Sequence, residues 1–335
     1  MQNRRIVLAS RPEGEPTPDN FRLETVETAP LKEGEVLLRT LYLSLDPYMR
    51  GRMSDAPSYA EPVKIGEVMV GSTVSEVMES TVAGLQKGDT VTGFSGWQEY
   101  AVVPARGLRK LNPENGPVSL ALGVLGMPGL TAYTGLLNIG NPKPGETVVV
   151  SAASGAVGAV VGQIAKIKGC RVVGVAGGEA KCQYVVEELG FDACVDHRSA
   201  TLHDDLKAAC PKGVDVYFEN VGGKVLEAVL PRMNDFSRMP VCGLISQYNL
   251  TDLSPGPDRT AVLMRAVLTK RIRMQGFIVL DYASQMPDFL HDVATWLRDG
   301  KMKYKEDIVD GLDKAPEALI GVLNGRNFGK MLVRF

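Results

Sequence analysis

Thr147-Val-Val-Val-Ser-Ala-Ala-Ser-Gly-Ala-Val-Gly158 decides the fold. A β-rich apolar run ends in small residues, and an Ala-rich apolar segment follows. That is how a strand, a tight turn and a helix N-terminus are written in sequence. Such a turn turns backbone N–H groups and the positive end of a helix dipole toward a pyrophosphate. Ala153, Gly155 and Gly158 occupy the three positions of a G-x-G-x-x-G pattern, with Ala replacing the first Gly. Gly155 would let a phosphate approach the main chain, and Gly158 would let the helix pack close to the sheet. Gly162 would extend that contact by one turn. Small residues also cluster in ordinary tight packing, so the pattern needs its context.

The context is a long alternation. Strand-like runs stand at Thr147–Ser151, Arg171–Ala176, Ala193–Asp196, 214–219 and 241–244. Between them lie helical candidates at 156–168, 180–189, 202–210 and 224–230. A strand over 273–279 and a helix at Met286–Arg298 would complete six strands. The pattern predicts an α/β fold: a Rossmann, doubly wound parallel sheet built from right-handed crossovers. A dinucleotide would then lie at the carboxyl ends of the strands, in a cleft facing a second domain.

That second domain is written upstream. From Arg4 to about Lys110, short β-like runs such as 36–43, 66–71 and 89–94 alternate with Gly and Pro. This predicts an antiparallel β-rich domain. Helical patterns appear at 119–122 and 130–137, and the tail turns β-like again at Gly329-Lys-Met-Leu-Val-Arg-Phe335. The expected organisation is 1–124 for the β-rich domain, 125–300 for the dinucleotide domain, and 301–335 returning to the first.

With 335 residues, 44% of them hydrophobic, the chain can bury two cores. Its 37 basic and 39 acidic residues nearly cancel, which argues against nucleic acid or an anionic membrane as the main partner. The apolar patch after Met1 is too short for a signal segment, and no apolar run reaches spanning length, so a cytoplasmic location is expected. Cys170, Cys182, Cys194, Cys210 and Cys242 form no C-x-x-C pair and read mostly as small core residues. His197, His203 and His291 make no metal-binding spacing, so no metal is expected.

The second strand narrows the dinucleotide. NAD sites place an acid at the end of that strand to bond the ribose hydroxyls. Here it ends in Ala176-Gly177-Gly178, and Glu179 reads as a first-turn helix residue. Lys181 follows, and Arg198 stands just after the third strand. Either could be a solvated surface charge. Their position at two adjacent strand ends favours a 2′-phosphate, and so NADP(H).

Several segments resemble one family. They are Leu45-Asp-Pro-Tyr-Met-Arg50, Gly126-Met-Pro-Gly-Leu-Thr-Ala-Tyr133, Ala152-Ala-Ser-Gly-Ala-Val-Gly158 and Ala176-Gly-Gly-Glu-Ala-Lys-Cys182. Tyr217-Phe-Glu-Asn-Val-Gly-Gly223, Cys242-Gly-Leu-Ile-Ser-Gln-Tyr-Asn249 and Asn327-Phe-Gly-Lys330 continue the set. Together they resemble the medium-chain dehydrogenases/reductases of the leukotriene B4 dehydrogenase/prostaglandin reductase group. Within it they are most similar to the bacterial NADPH-dependent curcumin/dihydrocurcumin reductases. The resemblance spans essentially the whole chain. It implies a GroES-like β-domain beside the Rossmann domain, and a homodimer in which the sixth strand extends the sheet across a two-fold. It also implies NADPH-dependent reduction of the C=C bond of α,β-unsaturated ketones and aldehydes, a small-molecule enone substrate. Zinc-dependent relatives carry a Gly-His-Glu motif and a four-Cys lobe, which this chain lacks.

For the cofactor, the resemblance implies contacts from Thr131 and from the turn Ala153, Gly155, Ala156, Val157 and Gly158. Gly177 and Lys181 would lie at the 2′-phosphate, and Asn220 at the nicotinamide ribose. Cys242 would line the groove, and Tyr248 would reach the diphosphate or 2′-phosphate region. Phe277 and Val279 would flank the nicotinamide, and Asn327 would bond the cofactor from the C-terminal segment. His197 stands where many relatives carry Tyr, and Gly178 where a Ser is common.

Hydride transfer needs orientation and a donor where enolate charge develops. The donor to the substrate carbonyl would be Tyr48 or the nicotinamide ribose hydroxyl, with the α-carbon protonated by solvent or a tyrosine. Tyr48 could instead be a loop tyrosine packed on Pro47. Arg50 and Arg52 could orient a polar substrate group or be solvated charges, and Asp46 could brace the loop. Met53, Met127 and Met274 could offer an adaptable apolar pocket or be core filler. A zinc-free quinone reductase and a non-catalytic cofactor-binding scaffold are the competing functions.

Overall fold

A computed structural model describes residues 1–113, 116–252 and 257–335. The chain divides into two units, Met1–Gly123 with Glu306–Phe335, and Val124–Lys305.

The first unit begins with an antiparallel pair, β1 (Gln2–Leu8) and β2 (Phe21–Glu27). Next come β3 (Glu35–Ser44), the short helix α1 (Tyr48–Arg52), β4 (Thr73–Ser80), β5 (Thr90–Gly93), β6 (Tyr100–Pro104) and β7 (Arg109–Leu111). The 3₁₀ turn Val118–Leu122 stands where a helical pattern was read.

In the second unit, α2 (Met127–Thr134) runs into a π-helical turn, Gly135–Gly140. It is followed by β8 (Thr147–Ser151), α3 (Gly158–Ile167), β9 (Arg171–Ala176), α4 (Glu179–Glu187), β10 (Ala193–Asp196) and α5 (Leu202–Ala209). The unit continues through β11 (Val214–Phe218), α6 (Gly223–Val229), β12 (Met233–Val241), α7 (Thr260–Lys270), β13 (Arg273–Gly276) and α8 (Met286–Arg298). The chain then re-enters the first unit as β14 (Glu306–Asp310), α9 (Ala315–Leu323) and β15 (Lys330–Arg334).

The second unit's sheet is six-stranded and parallel, in the order β10-β9-β8-β11-β12-β13. Numbered from β8, that is 3-2-1-4-5-6, the order of a dinucleotide fold, and it reverses between β8 and β11. All five residues of β8 are buried, as a central parallel strand covered on both faces requires. On one face Gly162 of α3 meets Phe191: a Cβ there would lie 1.8 Å from the ring. The first unit's larger sheet runs β14-β15-β3-β4-β5-β7, with β6 also paired to β3.

Two strand expectations are corrected. The strand read over 241–244 is β12, which ends at Val241. A bulge between its register with Val214 and with Val216 puts Phe236 at φ 60° and interrupts the apolar pattern. The strand read over 273–279 stops at Gly276, and Val279 opens the 3₁₀ turn Val279–Gln285. Helix α3 starts at Gly158 rather than 156, because the preceding turn swings through Ala152 at φ 52°.

Candidate active site

The turn after β8 is held from within. The Ala153 amide donates to the Val175 carbonyl at 3.0 Å, and the Gly155 amide to that of Ala152 at 2.9 Å. A Cβ on Gly158 would lie 2.3 Å from the Ala152 carbonyl oxygen, so this glycine is demanded by the turn itself. Ala153 lies against β9, where a Cβ on Gly174 would stand 2.8 Å from its own. No side chain caps α3; the Ala159 amide bonds to the Gly155 carbonyl and those of Val160 and Val161 to Val157, so the positive end of the helix dipole opens at Gly158.

At the end of β9, Gly177 and Gly178 carry two flanking side chains. His197 Nε2 is 2.7 Å from where a Gly177 Cβ would be, and the Arg198 guanidinium lies 3.4 Å from both glycine positions. Gly178 sits at φ 95°. Its amide and that of Arg198 donate to Asp196 Oδ1, at 3.0 and 2.9 Å. Burial alone would raise the Asp196 carboxyl, but these two amides hold it below the usual carboxylate range. Asp196, the acid that ends β10, is therefore engaged in shaping the turn. Burial, with the Lys224 charge second, depresses His197, so its imidazole is neutral at pH 7. Lys224, in the first turn of α6, is a cation near this turn that was not singled out from sequence. The Arg198 guanidinium and the His197 imidazole beside these two glycines are donors that fit a phosphate.

Where the sheet order reverses, the ends of β8 and β11 are cross-linked. Glu219 is buried, and its Oε1 accepts from Ser151 Oγ at 3.0 Å, Tyr217 OH at 2.9 Å and the Val221 amide at 2.7 Å. The Asn220 amide donates to Ser151 Oγ at 2.8 Å, and its Nδ2 to the Ser151 carbonyl at 2.8 Å. Cys242 donates its amide to the Glu219 carbonyl at 2.9 Å. Desolvation, then the Glu219 charge, pushes its thiol up to about 12, so it stays protonated. Tyr248 turns its hydroxyl back to accept from the Leu244 amide at 3.3 Å. Asn220, Cys242 and Tyr248 are thus brought to the same strand ends. The Glu219 knot behind them was not singled out from sequence.

Thr131 Oγ1 donates to the Met127 carbonyl at 2.8 Å and lies 3.6 Å from its sulfur. Phe277 packs edge-on to Phe218 and fills the space beside Gly135, where a Cβ would meet its ring at 2.4 Å. Met274 is 43% exposed on strand β13 at the sheet edge, not a buried core residue.

In the first unit, α1 carries Tyr48, Arg50, Arg52 and Met53's approach. Met49 and Met53, four residues apart, both point into the core, so Met53 is core filler rather than a pocket wall. Arg50 is buried and donates to the Gly14 carbonyl at 2.8 Å, a brace for the loop before β2. The Tyr48 hydroxyl is buried and has no hydrogen-bond partner among the described residues. Burial, then the Asp46 charge, raises it well above its ordinary value, so it is a protonated donor. Arg52 Nε is likewise buried without a partner. Asn327 Nδ2 donates to the Gly329 carbonyl at 2.7 Å. Among the described residues no group of three or more His, Cys, Asp or Glu could hold a metal ion.

Residues 4–111 match a family model described as the N-terminal domain of oxidoreductase, and residues 156–295 one described as zinc-binding dehydrogenase. The chain is 58% identical to the NADPH-dependent curcumin reductase of Escherichia coli, over 99% of this chain and 97% of that protein. It is 44% identical to prostaglandin reductase 1 of Rattus norvegicus, over 100% of this chain and 99% of that one. The crystal structure of CurA from Vibrio vulnificus in complex with NADPH superposes with a TM-score of 0.95, at 55% identity, covering 99% of this chain and 98% of that one.

Proposed function

The chain belongs to the medium-chain dehydrogenase/reductase superfamily, in its prostaglandin reductase-like group, and on that premise we propose that it reduces conjugated C=C bonds with NADPH. The end-to-end likeness to an NADPH-dependent curcumin reductase carries this reading. The strand-end geometry supports the cofactor: glycines in place of a free acid, beside His197 and Arg198.

In this reading the turn Ala153–Gly158 holds the diphosphate, and Thr131, Phe277 and Val279 set the nicotinamide face. Gly177, Lys181, His197 and Arg198 hold the 2′-phosphate. Asn220, Cys242 and Tyr248 line the ribose and diphosphate side, and Asn327 adds a bond from the C-terminal segment. When bound, reduced nicotinamide supplies a hydride for the β-carbon of the enone. The Tyr48 hydroxyl, unsatisfied and protonated, donates to the carbonyl oxygen as negative charge develops there. Met127 and Arg52 border the substrate, and solvent protonates the α-carbon. In this reading polarisation of the carbonyl falls to hydrogen-bond donors.

The protein works as a cytoplasmic homodimer on this reading. No described helix is long and apolar enough to cross a membrane. Strand β13 ends the sheet with all four residues exposed, and α7 beside it exposes Val262, Met264 and Leu268. A second copy pairing along β13 would continue the sheet and cover them. NADPH absorbance followed with enones and with quinones tests the activity. Oxidation by enones, giving products saturated between the α- and β-carbons, is expected. Oxidation by quinones alone, or tight NADPH binding with no acceptor turned over, would overturn it.

A further inference from the structure

Two acids are buried among the described residues, Asp46 and Glu219. Asp46 has its counter-charge, Lys330, at 3.0 Å. Glu219, only 1% exposed, is in no ion pair among the described residues. The hydrogen bonds to its side chain, from Ser151, Tyr217 and the Val221 amide, all fall on Oε1. Oε2 is buried and has no hydrogen-bond partner among the described residues. Donors alone meet the carboxyl group, which suits an ionised, acceptor-only carboxylate. A buried charge without a counter-charge is costly, so the missing cation points to something that binds there.

The neighbours of Glu219 say what that is. Phe218, which ends β11 just before it, packs edge-on to Phe277 with ring centroids 6.2 Å apart. Asn220, just after it, is tied to Ser151 by two hydrogen bonds. The amides of Cys242 and Gly243 both donate to the Glu219 carbonyl, at 2.9 and 3.2 Å. On the proposed function, Phe277, Asn220 and Cys242 surround the nicotinamide and its ribose, and none of the three brings a charge.

We propose that the Glu219 carboxylate is the counter-charge for the oxidised nicotinamide. The reduced ring is neutral. Once its hydride, with the bonding electron pair, has passed to the β-carbon of the enone, the ring carries one positive charge, and a proton from solvent completes the saturated product. A carboxylate fixed in a poorly screened interior stabilises that cation as it develops, and the three hydrogen bonds to Oε1 hold it ready beforehand. Glu219 thereby favours the oxidised over the reduced coenzyme and lowers the barrier to hydride donation. The inference rests on the reading of these strand ends as the nicotinamide side of an NADPH site.

The test measures Kd for NADPH and for NADP⁺ by calorimetry on the whole protein. Glu219→Gln keeps the shape and an acceptor oxygen but removes the charge. Its ratio of Kd for NADP⁺ to Kd for NADPH should rise about tenfold over the wild type. Tyr217→Phe removes one bond to Oε1 and keeps the charge, so its ratio should stay at the wild-type value. The wild type also decides by itself, should Glu219→Gln not fold: NADP⁺ should bind at least as tightly as NADPH, and about a tenfold preference for NADPH would overturn the proposal. So would an unmoved ratio in folded Glu219→Gln, or equal shifts in the two variants. A wild type that binds neither coenzyme would overturn the cofactor reading, and this inference with it.

Discussion

Lys330 Nζ lies 3.0 Å from Asp46 Oδ1 inside the first unit, with both side chains almost fully buried. The same ammonium donates to the Leu45 carbonyl at 2.7 Å, and Ser44 Oγ donates to the other Asp46 oxygen. Strand β15 thereby fixes the start of the loop that leads into Tyr48. Removing one partner strands the other charge, so Lys330→Ala should cost about 3–5 kcal/mol of stability. Urea unfolding of Lys330→Ala checks this, and the double variant Asp46→Leu with Lys330→Met should recover part of the loss. An unchanged midpoint in the single variant would mean the pair holds nothing.

Tyr48→Phe separates chemistry from folding. The hydroxyl lacks a partner within the described protein, so removing it leaves stability unchanged or slightly higher. Turnover with an enone should fall about 100-fold, while the KM for NADPH stays put. Full turnover would remove Tyr48 from the reaction.

Arg198 folds over Gly177 and Gly178. Arg198→Ala should raise the KM for NADPH about tenfold through loss of a charge-assisted hydrogen bond, and leave the KM for NADH where it is. Equal losses for both coenzymes would move the 2′-phosphate elsewhere.

His197 gives the fold a pH dependence. Its folded value lies below the ordinary 6.5, mainly from burial. Below pH 6.5 the unfolded chain takes a proton that the folded chain refuses, so this contribution is full above 6.5 and is lost as pH falls through the folded value. Melting temperatures measured between pH 7.5 and 5.5 should fall more steeply for the wild type than for His197→Asn. Parallel curves would mean that folding does not shift the His197 titration.

The alternating strands were legible because a buried parallel strand such as Thr147–Ser151 reads as one unbroken apolar run. β12 was misplaced because its bulge at Phe236 breaks that run with exposed and polar residues. Helix α9 was missed because seven of its nine residues are buried and no polar face marks its period. Helix α7 was missed because its apolar residues lie on both faces, Leu263 and Val267 against the core and Val262, Met264 and Leu268 exposed. At the site, Arg198 beside Gly177 and Gly178 was legible from its place just after the third strand, while Gly177 and His197 were expected only from the family resemblance. The Lys330–Asp46 pair did not, since its members stand 284 residues apart. The hydroxyl and carboxylate bonds of Ser151 and Glu219 depend on strand adjacency, which residue types do not encode. Met53 was misjudged because a methionine facing a pocket and one facing a core look alike until α1 sets its direction.

The most direct measurement uses NADPH deuterated at the transferring C4 position with an α,β-unsaturated ketone, and locates the label in the product by NMR. The account predicts a saturated ketone with deuterium on the β-carbon. Deuterium on the former carbonyl carbon, with the C=C bond intact, would contradict it.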